Sequence, residues 1–103
     1  SDLRTKEIEE AKLRDSLAFE TRNAVNAVRE SSEIVSALSG TVRQAERLLQ
    51  MAEKGYEFGV KIRLEVDDAQ LNLLRAQSNL ARAQRDHLSA LINLKWTMGI
   101  LGE

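Results

Sequence analysis

Apolar and small residues recur at alternating steps of three and four along two long stretches of the chain, and one interruption, marked by Gly55 and Gly59, separates them. Before it the repeat reads Ala24, Val28, Ser31, Val35, Leu38, Val42, Ala45, Leu49, Ala52 and Tyr56. After it come Val66, Ala69, Leu73, Ala76, Leu80, Ala83, His87, Ala90, Leu94 and Thr97. A spacing averaging about 3.5 residues, held for roughly four heptads on each arm, is the pattern of left-handed coiled-coil packing. The expected fold is therefore all-α: a long antiparallel coiled-coil helical hairpin, a single unit over residues 1–103. Its helices should cover about residues 2–56 and 64–98, with a turn over about 57–63.

The two stripes predict their own register. Folded back about Gly59, they set Leu49 against Ala69, Ala52 against Val66, Ala45 against Leu73, Val42 against Ala76, Val35 against Ala83, Val28 against Ala90 and Ala24 against Leu94. Large faces small at nearly every layer, which fills the seam while letting the helices approach at the close end of the roughly 8–10 Å interaxial range. His87 falls opposite Ser31, and the pair reads as a polar layer that fixes register. Gly40 reads as a tolerated glycine in the first helix, at a cost of about 1 kcal/mol relative to alanine, or else as a bend or a close helix approach.

The arms are unequal, roughly 80 Å and 50 Å at 1.5 Å per residue. The first ~20 residues thus lack a partner within the hairpin and are expected to pair with another copy or fray. A second apolar set on the later helix, Leu74, Ala81, Leu88, Leu91 and Met98, is displaced from the seam and echoed on the first helix by Ala27, Ile34 and Leu48. Contiguous apolar surface of this kind marks an interaction face, so each hairpin should be one stave in a wall of helices. Self-association of the isolated chain, as a dimer, is expected. Because the sequence enters a helical pattern directly at Asp2 after Ser1, it reads as a piece of something longer.

Composition narrows the chemistry. With no proline, 43% hydrophobic and only 4% aromatic residues, the chain suits long unkinked helices. Fifteen basic residues interleave with 16 acidic ones to give a net charge of −1, and so there is no electrostatic footprint for nucleic acid. Cysteine is absent, which removes disulfides and thiolate metal sites. No spacing suggests a nucleophile, a phosphate loop, a metal site or a cofactor, so no enzymatic role is expected. Glu65 and Asp68 lie three apart on one helical face, with Lys61 a turn earlier. They read either as an exposed, weakly paired helix start or, if several copies converge, as a ring of carboxylates around a pore.

Beyond periodicity, the run Ala52-Glu53-Lys54-Gly55-Tyr56-Glu57-Phe58-Gly59-Val60-Lys61, then Leu64-Glu65-Val66-Asp67-Asp68-Ala69-Gln70, resembles the C-terminal repeat of TolC-like outer-membrane efflux proteins, as do Leu80-Ala81-Arg82-Ala83 and Leu91-Ile92-Asn93-Leu94-Lys95. The resemblance is strongest over about residues 45–101. It implies a trimeric duct in which this chain is most of a periplasmic hairpin, part of an α-barrel continuing a β-barrel in the outer membrane. By position, Tyr56 and Lys61 resemble the residues that link neighbouring hairpins at the closed entrance, and Glu65 and Asp68 match two acidic positions at the constriction. Phe58-Gly59-Val60 falls where the family has a tip motif that receives the hairpin of a periplasmic adaptor, or membrane fusion protein. Lysine at position 61 supplies charge without the bidentate fork of arginine. The alternative from the heptads alone is a coiled-coil interaction arm of an intracellular scaffold or enzyme, with the tip as its docking point.

Overall fold

The computed structural model describes residues 1–102, with the side chains of residues 1–99. It contains two helices, α1 over Asp2–Glu57 and α2 over Arg63–Gly102, folded back on one another into a rod of 86 × 18 × 14 Å. The absence of proline lets each helix run unbroken. α1 continues through Gly40, where a Cβ would find only Arg43 Nη2 within 4 Å, at 3.8 Å. No close helix approach within this chain requires that glycine. α2 extends past Met98, since neither proline nor a left-handed glycine halts it there.

The seam is made by the two predicted stripes. Ala24, Val42, Ala45, Ala52, Val66, Ala76 and Ala83 are buried, and Val42, Ala45 and Ala76 form a core cluster against which Leu73 and Leu80 pack. The residues at the bottom of the seam are alanine and valine, whereas the leucines opposite them remain half-buried. The reason is geometric: a two-layer seam can cover a methyl group completely, but a leucine longer than the seam is deep projects past its edge. Hydrophobic burial of about 25 cal/mol per Å² therefore acts on narrow strips of area, and the rod depends on length rather than on depth of core.

One seam position departs from expectation. Tyr56 is 46% exposed. Its counterpart across the axis is Ile62, which precedes α2 and so offers no helical surface to cover the ring.

Polar groups in the seam are satisfied locally. Ser31 Oγ lies 2.8 Å from His87 Nδ1, joining the two helices at the predicted layer. Thr21 and Thr97, both half-buried, donate to the carbonyls of Leu17 and Asn93 one turn back, each at 2.9 Å. Among the described residues no buried side-chain nitrogen or oxygen lacks a partner.

Residues 1–16, the start of α1 with its N-cap, are exposed throughout, including Leu3, Ile8 and Leu13. In the register set by Ser31 and His87, the end of α2 at Gly102 falls opposite Ser16, leaving an overhang of roughly 20 Å. Leu74, Leu88, Leu91 and Met98 on α2, and Ile34 and Leu48 on α1, are likewise exposed, forming the second apolar set outside the seam.

Candidate functional site at the hairpin tip

The turn is built by hydrogen bonds reaching back into the last turn of α1. Val60 N–H donates to the Gly55 carbonyl at 2.7 Å, and Gly59 N–H donates to the Tyr56 carbonyl at 3.1 Å. These two bonds form a Schellman ending, in which the residue after the cap must turn left-handed. Gly59 does so, with φ of 76°. Lys61 N–H adds a second bond to the Gly55 carbonyl at 3.0 Å. α2 then starts without a side-chain cap, its Glu65 N–H donating to the Ile62 carbonyl at 3.1 Å.

Gly55 has a different role from Gly59, because its backbone is helical. A Cβ at position 55 would stand 2.6 Å from Lys61 Cγ and 3.2 Å from both Lys61 Cβ and Cδ. The lysine stem lies directly on the bare helix at this point. Its ammonium then reaches Glu65 Oε2 at 3.8 Å, in the first turn of α2. The pair is solvent-exposed and weak in energy. What holds Lys61 in place is the fit of its methylenes over Gly55.

Two residues beyond Lys61 stands Arg63, which sequence patterning does not single out. The Arg63 guanidinium carbon lies 5.9 Å from the centroid of the Tyr56 ring, within the reach of a cation–π interaction. Its Nε is 3.5 Å from Asp67 Oδ1. The Arg63 pKa stands above its ordinary value, raised first by the neighbouring Tyr56 side chain and then by the Asp67 carboxylate. The available signal was Arg63 seven residues after Tyr56 and four before Asp67, but only the turn geometry brings these residues together.

Beyond these ties the tip is apolar and open. Phe58 is 77% and Val60 81% exposed, flanking Gly59, with Ile62 and Leu64 exposed beside them. Asp68 makes no salt bridge among the described residues, whereas Glu65 is engaged by Lys61. The seven residues singled out from sequence thus occupy one end of the rod. Tyr56 and Lys61, however, are tied to different partners within the hairpin rather than to each other. Among the described residues no cluster of His, Cys, Asp or Glu is arranged to hold a metal ion, and no helix is long and apolar enough to cross a membrane.

Fold and tip together define an elongated coiled-coil hairpin closed by a stiffened, solvent-facing apolar turn. The profile of the outer membrane efflux protein family matches residues 3–100, and the chain belongs to that family. It is 30% identical over 82 residues to the outer membrane protein TolC of Escherichia coli (strain K12), covering 80% of this chain and 17% of that protein. It is 29% identical over 92 residues to the alkaline protease secretion protein AprF of Pseudomonas aeruginosa, covering 89% of this chain and 19% of that protein. The TolC of Vibrio cholerae is 29% identical over 89 residues, covering 80% of this chain and 20% of that protein. No solved structure matches the chain. The chain spans about a fifth of the length of the curated relatives it matches, and its hairpin is a periplasmic helical portion of an outer-membrane protein. This leaves the intracellular alternative without support.

Proposed function

We propose that this hairpin forms part of the periplasmic entrance of a trimeric outer-membrane efflux duct, where it takes part in gating and receives the hairpin of a periplasmic adaptor. The observation that carries this reading is the tip itself. Phe58 and Val60 are held out into solvent by a hydrogen-bonded turn, and exposed apolar groups on a rigid support are suited to insertion into a partner's groove. The second apolar set serves lateral contact with neighbouring hairpins of the trimer. Tyr56 and Lys61 act as the closing links and Glu65 and Asp68 as the acidic ring. Opening is a shift of packed helices, biased by whatever the adaptor contacts more strongly in the open state. No enzymatic step is assigned to this portion.

Docking is tested by binding of the full-length protein to its adaptor with Phe58→Glu and Val60→Glu. Gly59 is the less useful target, since any side chain there strains the turn and confounds contact with conformation. Loss of binding in both variants is expected. Binding indifferent to both would move the partner surface to the helix sides. Gating is tested by single-channel conductance of the full-length protein carrying Tyr56→Ala or Lys61→Ala. A leakier entrance is expected, and unchanged conductance in both variants would remove these residues from the gate.

A further inference from the structure

We infer that Arg63 is a positioning residue for Tyr56: braced by Asp67, it draws the tyrosine ring back onto its own hairpin and so sets where the gate's link can be made. This rests on the gating role proposed for Tyr56, but the positioning itself is measurable without it.

Three observations carry the inference. The first is placement. Arg63 is the first residue of α2 and Tyr56 lies in the last turn of α1, so their contact at 5.9 Å spans the turn and joins the two helices at the end where the seam has no further layer. The second is electrostatic. A cation at a helix N-terminus is opposed by the macrodipole, whereas one near a C-terminus is favoured. In this hairpin the two termini are adjacent. Arg63 is therefore pushed away from the start of its own helix and drawn toward the end of α1, where Tyr56 stands. A basic residue that local helix rules disfavour, kept in place by a ring and a carboxylate, is the kind of local conflict that functional positions show. The third is the brace. Asp67 Oδ1 stands 3.5 Å from Nε, one turn into α2, an exposed pair that biases the direction of the side chain while the guanidinium carbon stays over the ring.

The arrangement also separates the two basic residues of the tip. Lys61 is set by Gly55 and Glu65, and Arg63 by Tyr56 and Asp67. Each cation has its own carboxylate four residues on. A tyrosine held by Arg63 is restrained from reaching outward, so a link from Tyr56 to a neighbouring hairpin competes with this internal contact.

Tyr56 is the sole tyrosine of the chain, which makes its ring signals unambiguous by NMR. The test compares the wild-type chain with Arg63→Gln, Arg63→Lys and Asp67→Asn, using the Ser31 and His87 signals as a check that the seam is intact. Nuclear Overhauser contacts between the Tyr56 ring and the Arg63 side chain are expected in the wild type, together with upfield displacement of the Arg63 methylenes. Both should weaken in Asp67→Asn. The Tyr56 ring shifts should move in Arg63→Gln and return part of the way in Arg63→Lys. Tyr56 shifts unmoved in Arg63→Gln, with the seam intact, would overturn the assignment.

A second readout uses conductance of the full-length protein. If Arg63 acts through Tyr56, Arg63→Gln combined with Tyr56→Ala leaks no more than Tyr56→Ala alone. Leaks that multiply would give Arg63 an independent role and overturn the positioning one. Should Tyr56→Ala leave conductance unchanged, the gating role of Tyr56 fails, while the Tyr56 ring shifts still decide whether Arg63 positions the tyrosine.

Discussion

Gly40, inside α1, and Gly59, in the turn just past its end, should respond to alanine with opposite signs, and the difference follows from the backbone alone. Gly59 has φ of 76° and nothing within 4 Å of where a Cβ would stand. Replacing it with alanine meets no neighbour, so its cost is that of forcing an L-residue into the left-handed region, about 1–2 kcal/mol. Gly40 lies inside α1 with ordinary helical geometry and a single distant contact. There alanine should stabilise by about 1 kcal/mol, through helix propensity. The two variants should thus differ by about 2–3 kcal/mol, or roughly 30- to 140-fold in the folding equilibrium. Urea unfolding followed by circular dichroism reads this directly, as midpoints moving in opposite directions at a common slope. Gly59→Asn supplies an internal control, because asparagine tolerates the left-handed conformation and should recover part of the loss. If Gly59→Ala unfolds at the wild-type midpoint, the Schellman ending is not what closes this hairpin. If Gly40→Ala is instead destabilising, a close neighbour outside this chain's own helices is implicated at that position.

Gly55→Ala should leave the unfolding midpoint within about 1 kcal/mol of wild type, since the propensity gain offsets the displacement of Lys61, yet it should shift the Lys61 methylene signals. Unmoved signals would mean that the lysine stem does not lie on the glycine. At the polar layer, Ser31→Ala should cost about 1 kcal/mol, toward the low end for an unpaired polar group because His87 is only half-buried. Combining it with His87→Leu should recover stability, since an apolar layer leaves nothing unsatisfied. Strict additivity of the two changes in a double-mutant cycle would show that the 2.8 Å contact carries no coupling.

Much of this hairpin is legible in the sequence, because periodicity is a repeated signal. Each heptad restates which face is buried, so the large-to-small alternation, the turn near Gly59 and the pairing of Ser31 with His87 all follow from spacing alone. A single ambiguous residue does not shift a register fixed by many layers. The family resemblance likewise rests on short runs that are contiguous in the chain.

The tip behaves differently. Between Phe58 and Ile62 the chain leaves the helix, and the direction of every side chain then depends on a few dihedral angles, above all the positive φ of Gly59. Only the folded turn decided that Gly55 is bare because Lys61 lies across it, that Tyr56 emerges from the seam for want of a helical partner, and that Arg63 leans back to meet it. Spacing determines contacts wherever a regular helix carries it forward. Once the regular repeat stops, residues seven apart can meet or miss according to one glycine's conformation, and that choice is made by the hydrogen bonds and charges of the two helix ends together.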